Sequence, residues 1–293
     1  MGGVVVGTCS WTDRALVASG WYPVGARTAE GRLRYYASVF PVVEVDASFY
    51  ALPGAERSRA WVERTPKGFV FDVKAFALMT GHRAQVGRLP PELRPSGPPT
   101  RSVGVRDLGP DGERMVWRAF LDGIAPLRDG DRLGSVLLQF PPSFAPGPGA
   151  RARIARCAEL AEGVPLAVEF RHPAWLTGGR RAGTPALLRE HGMALVAVDT
   201  AQNLPTSMPP VAEATCEGLA VVRFHGRSPH WGTGSKEDRF RHHYTREDLL
   251  PWLPRVRRLA EGADSVHVLF NNCCGDASVT AARLMSELLE AAD

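Results

Sequence analysis

The sequence predicts an α/β chain closed into a TIM-type (β/α)8 barrel. Three observations carry that prediction. Eight short runs rich in Val, Leu, Phe and Ala recur along the chain, nearly continuous in apolar character, as strands covered on both faces of a parallel sheet are. Most of these runs are followed by a segment with helical spacing, the alternation that lays helices over a parallel sheet. Nearly every run also ends in polar or charged residues, and that end is where barrels of this class carry their sites. The runner-up is a doubly wound open sheet. Its dinucleotide-binding form has no support, because no GxGxxG follows the first run.

The chain in order gives the following elements. VVVGTCSW (4–11) is the first strand, ending in Thr8 and Ser10, and RLRYYASVF (32–40) has helical character. VVEVDASFY (42–50) is the second strand, SRAWVERT (58–65) a helix closed by Pro66 and Gly68, and FVFDVKAF (69–76) the third strand. Residues 80–112 break the rhythm with many Pro and Gly (LPPELRPSGPP), a long loop inserted after strand three. Loops of that length in compact domains are functional or mobile. ERMVWRAFLDGIAPL (113–127) returns to helix, SVLLQFP (135–141) is strand four, and RARIARCAELAEG (151–163) is helix. LAVEFRH (166–172) is strand five, and TPALLREHG (184–192) is a helix with Pro near its start and Gly at its end, the usual asymmetry. ALVAVDT (194–200) and LAVVRFHGR (219–227) are strands six and seven, with a polar loop over 228–244. TREDLLPWLPRVRRLAEG (245–262) opens like a capping box and holds internal prolines, so a broken helix is expected. VHVLF (266–270) is strand eight. Asn271 and Asn272 follow, then Gly275, then a helix in which Asp276 stands at the cap and Ala281, Leu284, Met285, Leu288 and Leu289 recur.

The bulk numbers agree. A chain of 293 residues, 44% hydrophobic and 23% charged, suits a soluble globular protein, and one barrel domain over 1–293 is expected. A net charge of +4 is mild, and nucleic-acid binders ordinarily show a clustered basic stripe. The patches Arg151, Arg153, Arg156 and Arg255, Arg257, Arg258 are read as solvated helix faces. Five cysteines, an odd count with no CxxC, indicate neither a disulfide framework nor a structural zinc site. No signal pattern and no long apolar run occurs, so a cytoplasmic, reduced protein without a membrane partner is expected. Oligomeric state is left open.

Strand parity sorts the polar tips, because successive side chains point to opposite faces. Glu44 shares a face with Asp46 and Ser48, Asp72 with Lys74, Glu169 with Arg171, and Arg223 with His225, with Arg227 just beyond. Gln139 ends strand four, Asp199 ends strand six, and Asn271 and Asn272 follow strand eight. Burying this many ionisable groups is costly unless they pair or bind something.

Several motifs together resemble the domain-of-unknown-function 72 family, the YecE-like proteins: GTCSWTD, LRYYASVFPVVEVDASFYALP, TPKGFVFDVKA, SVLLQFPPSF, LAVEFRHPAW, VVRFHGR and VLFNNCCGDASVTAARL. The likeness runs from Gly7 to about Leu288. It implies a TIM-type barrel and a cytoplasmic protein, and it brings no activity. This chain departs from the family pattern at Asp46, where Asn is usual, at Thr80-Gly81-His82, where Thr-His is usual, and after RFHGR, where it carries His242, His243 and Tyr244.

Three functions suit such a ring. The first is an enzyme of acid–base or hydrolytic type on a small anionic ligand. Glu44, Glu169 and Asp199 would be acid or base and His225 the proton shuttle. Lys74, Arg171, Arg223 and Arg227 would clamp the anion, with Asn271, Asn272, Gln139 and Asp46 orienting it. The second is a nucleic-acid-binding phosphodiesterase of endonuclease type, which would need a divalent metal gathered by the carboxylates and His225. The third is a non-catalytic binding protein whose ring is a self-paired plug. No HExxH, GxSxG or P-loop occurs, so no motif requires a cofactor or metal. Cys273 and Cys274 are read as small fillers, His172 as structural, and Trp11 and Trp175 as packing at the mouth.

Overall fold

A computed structural model describes residues 2–202, 204–229, 238 and 241–291. Eight parallel strands close a barrel in which each pairs with its neighbours in chain order. They are β1 (Gly3–Thr8), β2 (Val42–Val45), β3 (Val70–Lys74), β4 (Leu133–Gln139), β5 (Leu166–Glu169), β6 (Ala194–Asp199), β7 (Ala220–Phe224) and β8 (Ser265–Phe270). β8 returns to β1 in continuous register from Gly3↔Ser265 to Thr8↔Phe270. The TIM-type barrel expected from the alternation is the fold found.

Helices α1 (Ala29–Val39), α2 (Ala55–Glu63), α3 (Gly112–Asp129), α4 (Pro148–Leu160), α5 (Gly183–Glu190), α6 (Leu253–Gly262) and α7 (Ala277–Glu290) cover the outside. Each begins or ends within a few residues of the periodic segment that predicts it. The prolines break the segment before β8 as expected: Arg246–Leu249, a 3-10 turn Leu250–Trp252, then α6. Its capping box forms, with Thr245 Oγ1 accepting from Asp248 N at 3.3 Å and Asp248 Oδ2 accepting from Thr245 N at 3.1 Å. Asp276 sits at the N-cap position of α7, but its side chain makes no cap bond.

The stretch after β3 is irregular, yet it is locally structured. Ala84–Gln85 pairs antiparallel with Ser102–Val103, and 3-10 turns flank the pair. Val86, Leu89, Leu93 and Val103 pack it onto the core, contributing roughly 1.5–3 kcal/mol per buried side chain. Most of the polar loop expected over 228–244 lies outside the described residues.

The register fixes which residues face the barrel interior. Glu44 pairs with Asp72, Asp72 with Ser135, Gln139 with Glu169, and Leu269 with both Gly7 and Arg223. Below the mouth the interior holds a polar knot, in which Asp72 accepts from Ser135 Oγ at 2.7 Å and lies 2.8 Å from His267 Nδ1. Gly7 lets β1 approach β2 closely, since a Cβ there would stand 2.0 Å from the Val42 carbonyl oxygen. Gly7→Ala is therefore expected to cost about 3 kcal/mol or more by forcing the two strands apart. Urea unfolding checks this; a loss under about 1 kcal/mol would show that the pair tolerates a side chain.

Candidate functional site at the barrel mouth

The C-terminal strand ends bring together a group of side chains with almost no solvent contact. Glu44, Glu169, Arg223 and His225 are all buried in the interior. Arg223 binds Glu44 through its fork, Nε donating to Oε2 at 2.8 Å and Nη2 donating to Oε1 at 2.7 Å. Its Nη1 donates to Glu169 Oε2, and Nη2 also lies 3.6 Å from Cys9 Sγ. One guanidinium thus joins two buried carboxylates from β2 and β5.

The two carboxylates are not equivalent. Glu169 Oε1 also accepts from Gln139 Nε2 at 2.8 Å and from Arg171 Nη1 at 2.9 Å, and stands 3.0 Å from His225 Nε2. A carboxylate only accepts, so that imidazole nitrogen carries the proton, and His225 Nδ1 accepts from Asn271 Nδ2 at 3.0 Å. Burial pushes the His225 imidazolium down to about 4, against the pull of Glu169. The ring is therefore neutral at pH 7. Burial opposes ionisation of Glu169 as well, but the charge that His225 carries when protonated at acid pH, the charge of Arg223, the His225 hydrogen bond and the charge of Arg171 overcome it and hold the carboxyl well below its ordinary range. Glu44 has Arg223 as its hydrogen-bonding cation, with Lys74 acting at longer range. Burial wins there, raising the carboxyl to about 7. A pair of carboxyls pushed apart in acidity by their surroundings marks an acid–base assignment.

At the rim, Lys74 Nζ donates to Asp46 Oδ1 at 2.7 Å and lies 4.7 Å from the Phe49 ring centre. A cavity of about 290 Å³ reaches this end of β2 and is lined there by Glu44 and Asp46, with Ser10, Trp11 and Trp61 around it.

Of the ring residues expected from parity, the structure gathers Glu44, Gln139, Glu169, Arg171, Arg223, His225 and Asn271, with Lys74 and Asp46 paired beside them. It does not gather the others. Asp199 shares the outer face with Phe224 and points away from the lumen. Gly226, at φ 92°, breaks the strand alternation, a backbone that favours glycine. Arg227 thereby leaves the Arg223–His225 face and grips Asp199, with Nη2 to Oδ1 at 2.8 Å and Nε to Oδ2 at 2.9 Å. Tyr244 OH donates to Asp199 Oδ2 at 2.7 Å and Trp252 Nε1 donates to Oδ1 at 3.0 Å. Asn272, the neighbour of Asn271 and so on the opposite face, donates from Nδ2 to the His242 carbonyl at 2.9 Å. These residues form a second cluster between the sheet and the helices.

Parity reasoning passed over Cys9, which touches Arg223, and Tyr244 and Trp252, which close Asp199. For Cys9 a signal existed: it shares the inward face of Gly7. His172 is structural, as expected, its Nδ1 accepting from Ala174 N at 3.2 Å. Trp175 packs between Phe144 and Phe170. Among the described residues, no three His, Cys, Asp or Glu side chains are grouped to hold a metal ion, and no helix is long and apolar enough to cross a membrane.

The chain is similar to known proteins over nearly its whole length. The profile of the family described as "Protein of unknown function DUF72" matches residues 5–293. The UPF0759 protein YunF of Bacillus subtilis (strain 168) is 31% identical over 294 residues, covering 98% of this chain and 95% of that protein. Two crystal structures share the fold. A DUF72 family protein from Enterococcus faecalis V583 superposes with TM-score 0.79 at 23% identity, covering 99% of this chain and 98% of that one. A DUF72 family protein from Thermotoga maritima MSB8 superposes with TM-score 0.79 at 27% identity, covering 98% and 99%.

Proposed function

The chain belongs to the DUF72 family of proteins of unknown function, and from the geometry of its barrel mouth we propose an enzyme that does acid–base chemistry on a small anionic ligand. The observation that carries this reading is that one buried guanidinium joins two unequal carboxylates: Glu169 is also met by Gln139, Arg171 and His225, whereas among the described residues Arg223 alone hydrogen-bonds Glu44. Glu44 is the group that gains and loses a proton near neutral pH, where a general acid or base is most effective. Glu169 stays ionised and, with Arg223, holds His225 and Arg171 in place. When Glu44 is protonated, Glu169, Arg223 and Arg171 sum to one positive charge, which an oxyanion at the mouth neutralises. When Glu44 ionises, that excess vanishes. Anion binding and protonation of Glu44 are therefore coupled.

The self-paired plug is the second reading, favoured by the fact that Arg223, Arg171, Lys74 and Glu169 all have partners within the ring. Calorimetry separates the two. Titration with phosphomonoesters and short carboxylates at pH 8, in buffers of differing ionisation enthalpy, is expected to show proton uptake on binding. Glu44→Gln removes the uptake and keeps the binding, while Arg171→Ala weakens binding about tenfold or more. Absence of proton uptake with every ligand tried would leave the plug. The metal-dependent phosphodiesterase alternative rests on fold likeness, and the two glutamates it would need already close on Arg223.

A further inference from the structure

The cluster around Asp199 lies outside the barrel mouth and borders its own cavity of about 530 Å³, between the ends of β6 and β7 and the turn before α6. Its charged lining residues are Asp199, Arg227 and Arg255, and Leu204, Pro210 and Pro251 form an apolar wall. Asp199 has no acceptor capacity to spare, since Arg227, Tyr244 and Trp252 already donate to both of its oxygens. Arg227 is equally committed, with Nη1 to Asp248 Oδ1 at 2.9 Å and its other nitrogens to Asp199.

Arg255 differs. Its guanidinium lies over the Trp252 ring, 4.9 Å from the centroid. Among the described residues it has no hydrogen bond or ion pair. Held over the indole, the guanidinium keeps N–H groups that no described residue uses, and its planar fork matches carboxylate or phosphate oxygens. The indole is itself fixed, because Trp252 Nε1 donates to Asp199. The Asp199–Arg227 pair thus works as a rigid support that positions Trp252, and through it Arg255.

We propose that this cavity is a second ligand site, distinct from the barrel mouth, taking a small molecule with an oxyanion head and an apolar body. The head, phosphate or carboxylate, sits on Arg255, and the body lies against Pro210, Pro251 and Leu204. The site does not depend on the acid–base reading of the mouth. Glu44 does not line this cavity, so its occupation is expected without the proton uptake that marks the mouth.

Phenyl phosphate, benzoate and inorganic phosphate are the probes. The first two carry head and body with different oxyanions, and the third carries the head alone. With the full chain at pH 7.5, phenyl phosphate or benzoate is expected to bind without a buffer-dependent enthalpy and more tightly than inorganic phosphate. Binding should also shift the Trp252 indole N–H resonance, assigned through Trp252→Phe. Arg255→Ala weakens this binding about tenfold or more, and Arg255→Lys, which keeps the charge and loses the fork, falls between. Arg255 is partly buried, and circular dichroism checks that the variants fold. If Trp252 does not respond, or Arg255→Ala binds as the wild type does, the second site is overturned. If Arg171→Ala alone abolishes binding, the ligand lies in the barrel mouth. That outcome overturns this site and leaves the acid–base reading standing.

Discussion

Replacing Arg223 with Met is expected to destabilise the protein by about 3–5 kcal/mol, because it strands two buried carboxylates without their shared cation. At this chain length that corresponds to a fall in melting temperature of roughly 10 °C. The loss should grow with pH. Without Arg223 the carboxyls, Glu44 above all because Glu169 keeps Arg171, favour the protonated form, so their folded-state pKa values stand above the unfolded ones and stability is lost as pH rises through them. Adding Glu44→Gln and Glu169→Gln to the variant removes the stranded charges and should recover a large part of the loss. Urea unfolding at pH 5 and pH 8 measures all of this. A loss below about 1 kcal/mol at pH 8 would mean that Arg223 is not the keystone of the mouth.

The second large effect concerns pH. Glu44 is raised to about 7 in the folded protein, against an ordinary value near 4.3 when unfolded. Its contribution is complete at low pH and is lost as pH rises from the unfolded value through about 7. His225 is lowered to about 4, against about 6.5 unfolded. In that window the unfolded state binds the extra proton, so the His225 contribution grows as pH rises from about 4 to 6.5. Each contributes about 1.4 kcal/mol per pH unit where it acts, with opposite signs. The wild type should therefore be nearly flat in stability between pH 4.5 and 6.5 as far as these two groups are concerned. Glu44→Gln leaves the His225 slope alone, so that variant should lose about 3 kcal/mol relative to wild type on going from pH 6.5 to 4.5. His225→Gln should do the reverse, losing stability as pH rises. Parallel stability–pH curves for wild type and Glu44→Gln would overturn the assignment of the near-neutral carboxyl.

The barrel was legible because its signals are local and repeated. Apolar runs of strand length alternate with helical periods, and tertiary packing had no reason to override either. Much of the mouth was legible for a related reason. Strict alternation within a strand puts Glu44, Glu169, Arg223 and His225 on faces that can be read two residues at a time, and the alternation carries on to Asn271. Reading failed where alternation stops or carries no label. In ALVAVDT, Leu195 and Ala197 on one face are as apolar as Val196 and Val198 on the other, so nothing tells which face Asp199 shares with the lumen. Arg227 was misplaced for a backbone reason, the left-handed turn at Gly226. Tyr244 and Trp252 find Asp199 across 45 and 53 residues, and His267 finds Asp72 across 195. Separations of that size leave no periodic trace. The charge balance at the mouth was beyond the sequence too. Three arginines and a lysine suggest an anion clamp, and in the structure each of them also meets a carboxylate, a pairing that no periodicity announces.

Carbon-13 NMR of the glutamate side-chain carboxyls, assigned with Glu44→Gln and Glu169→Gln, tests this account most directly. A resonance absent from Glu44→Gln should titrate with a midpoint near 7, while the one absent from Glu169→Gln stays in its ionised position down to the acid limit of the fold. If both carboxyls titrate together below pH 5, Glu44 is an ordinary ion-pair partner of Arg223, and the acid–base reading of the mouth is contradicted.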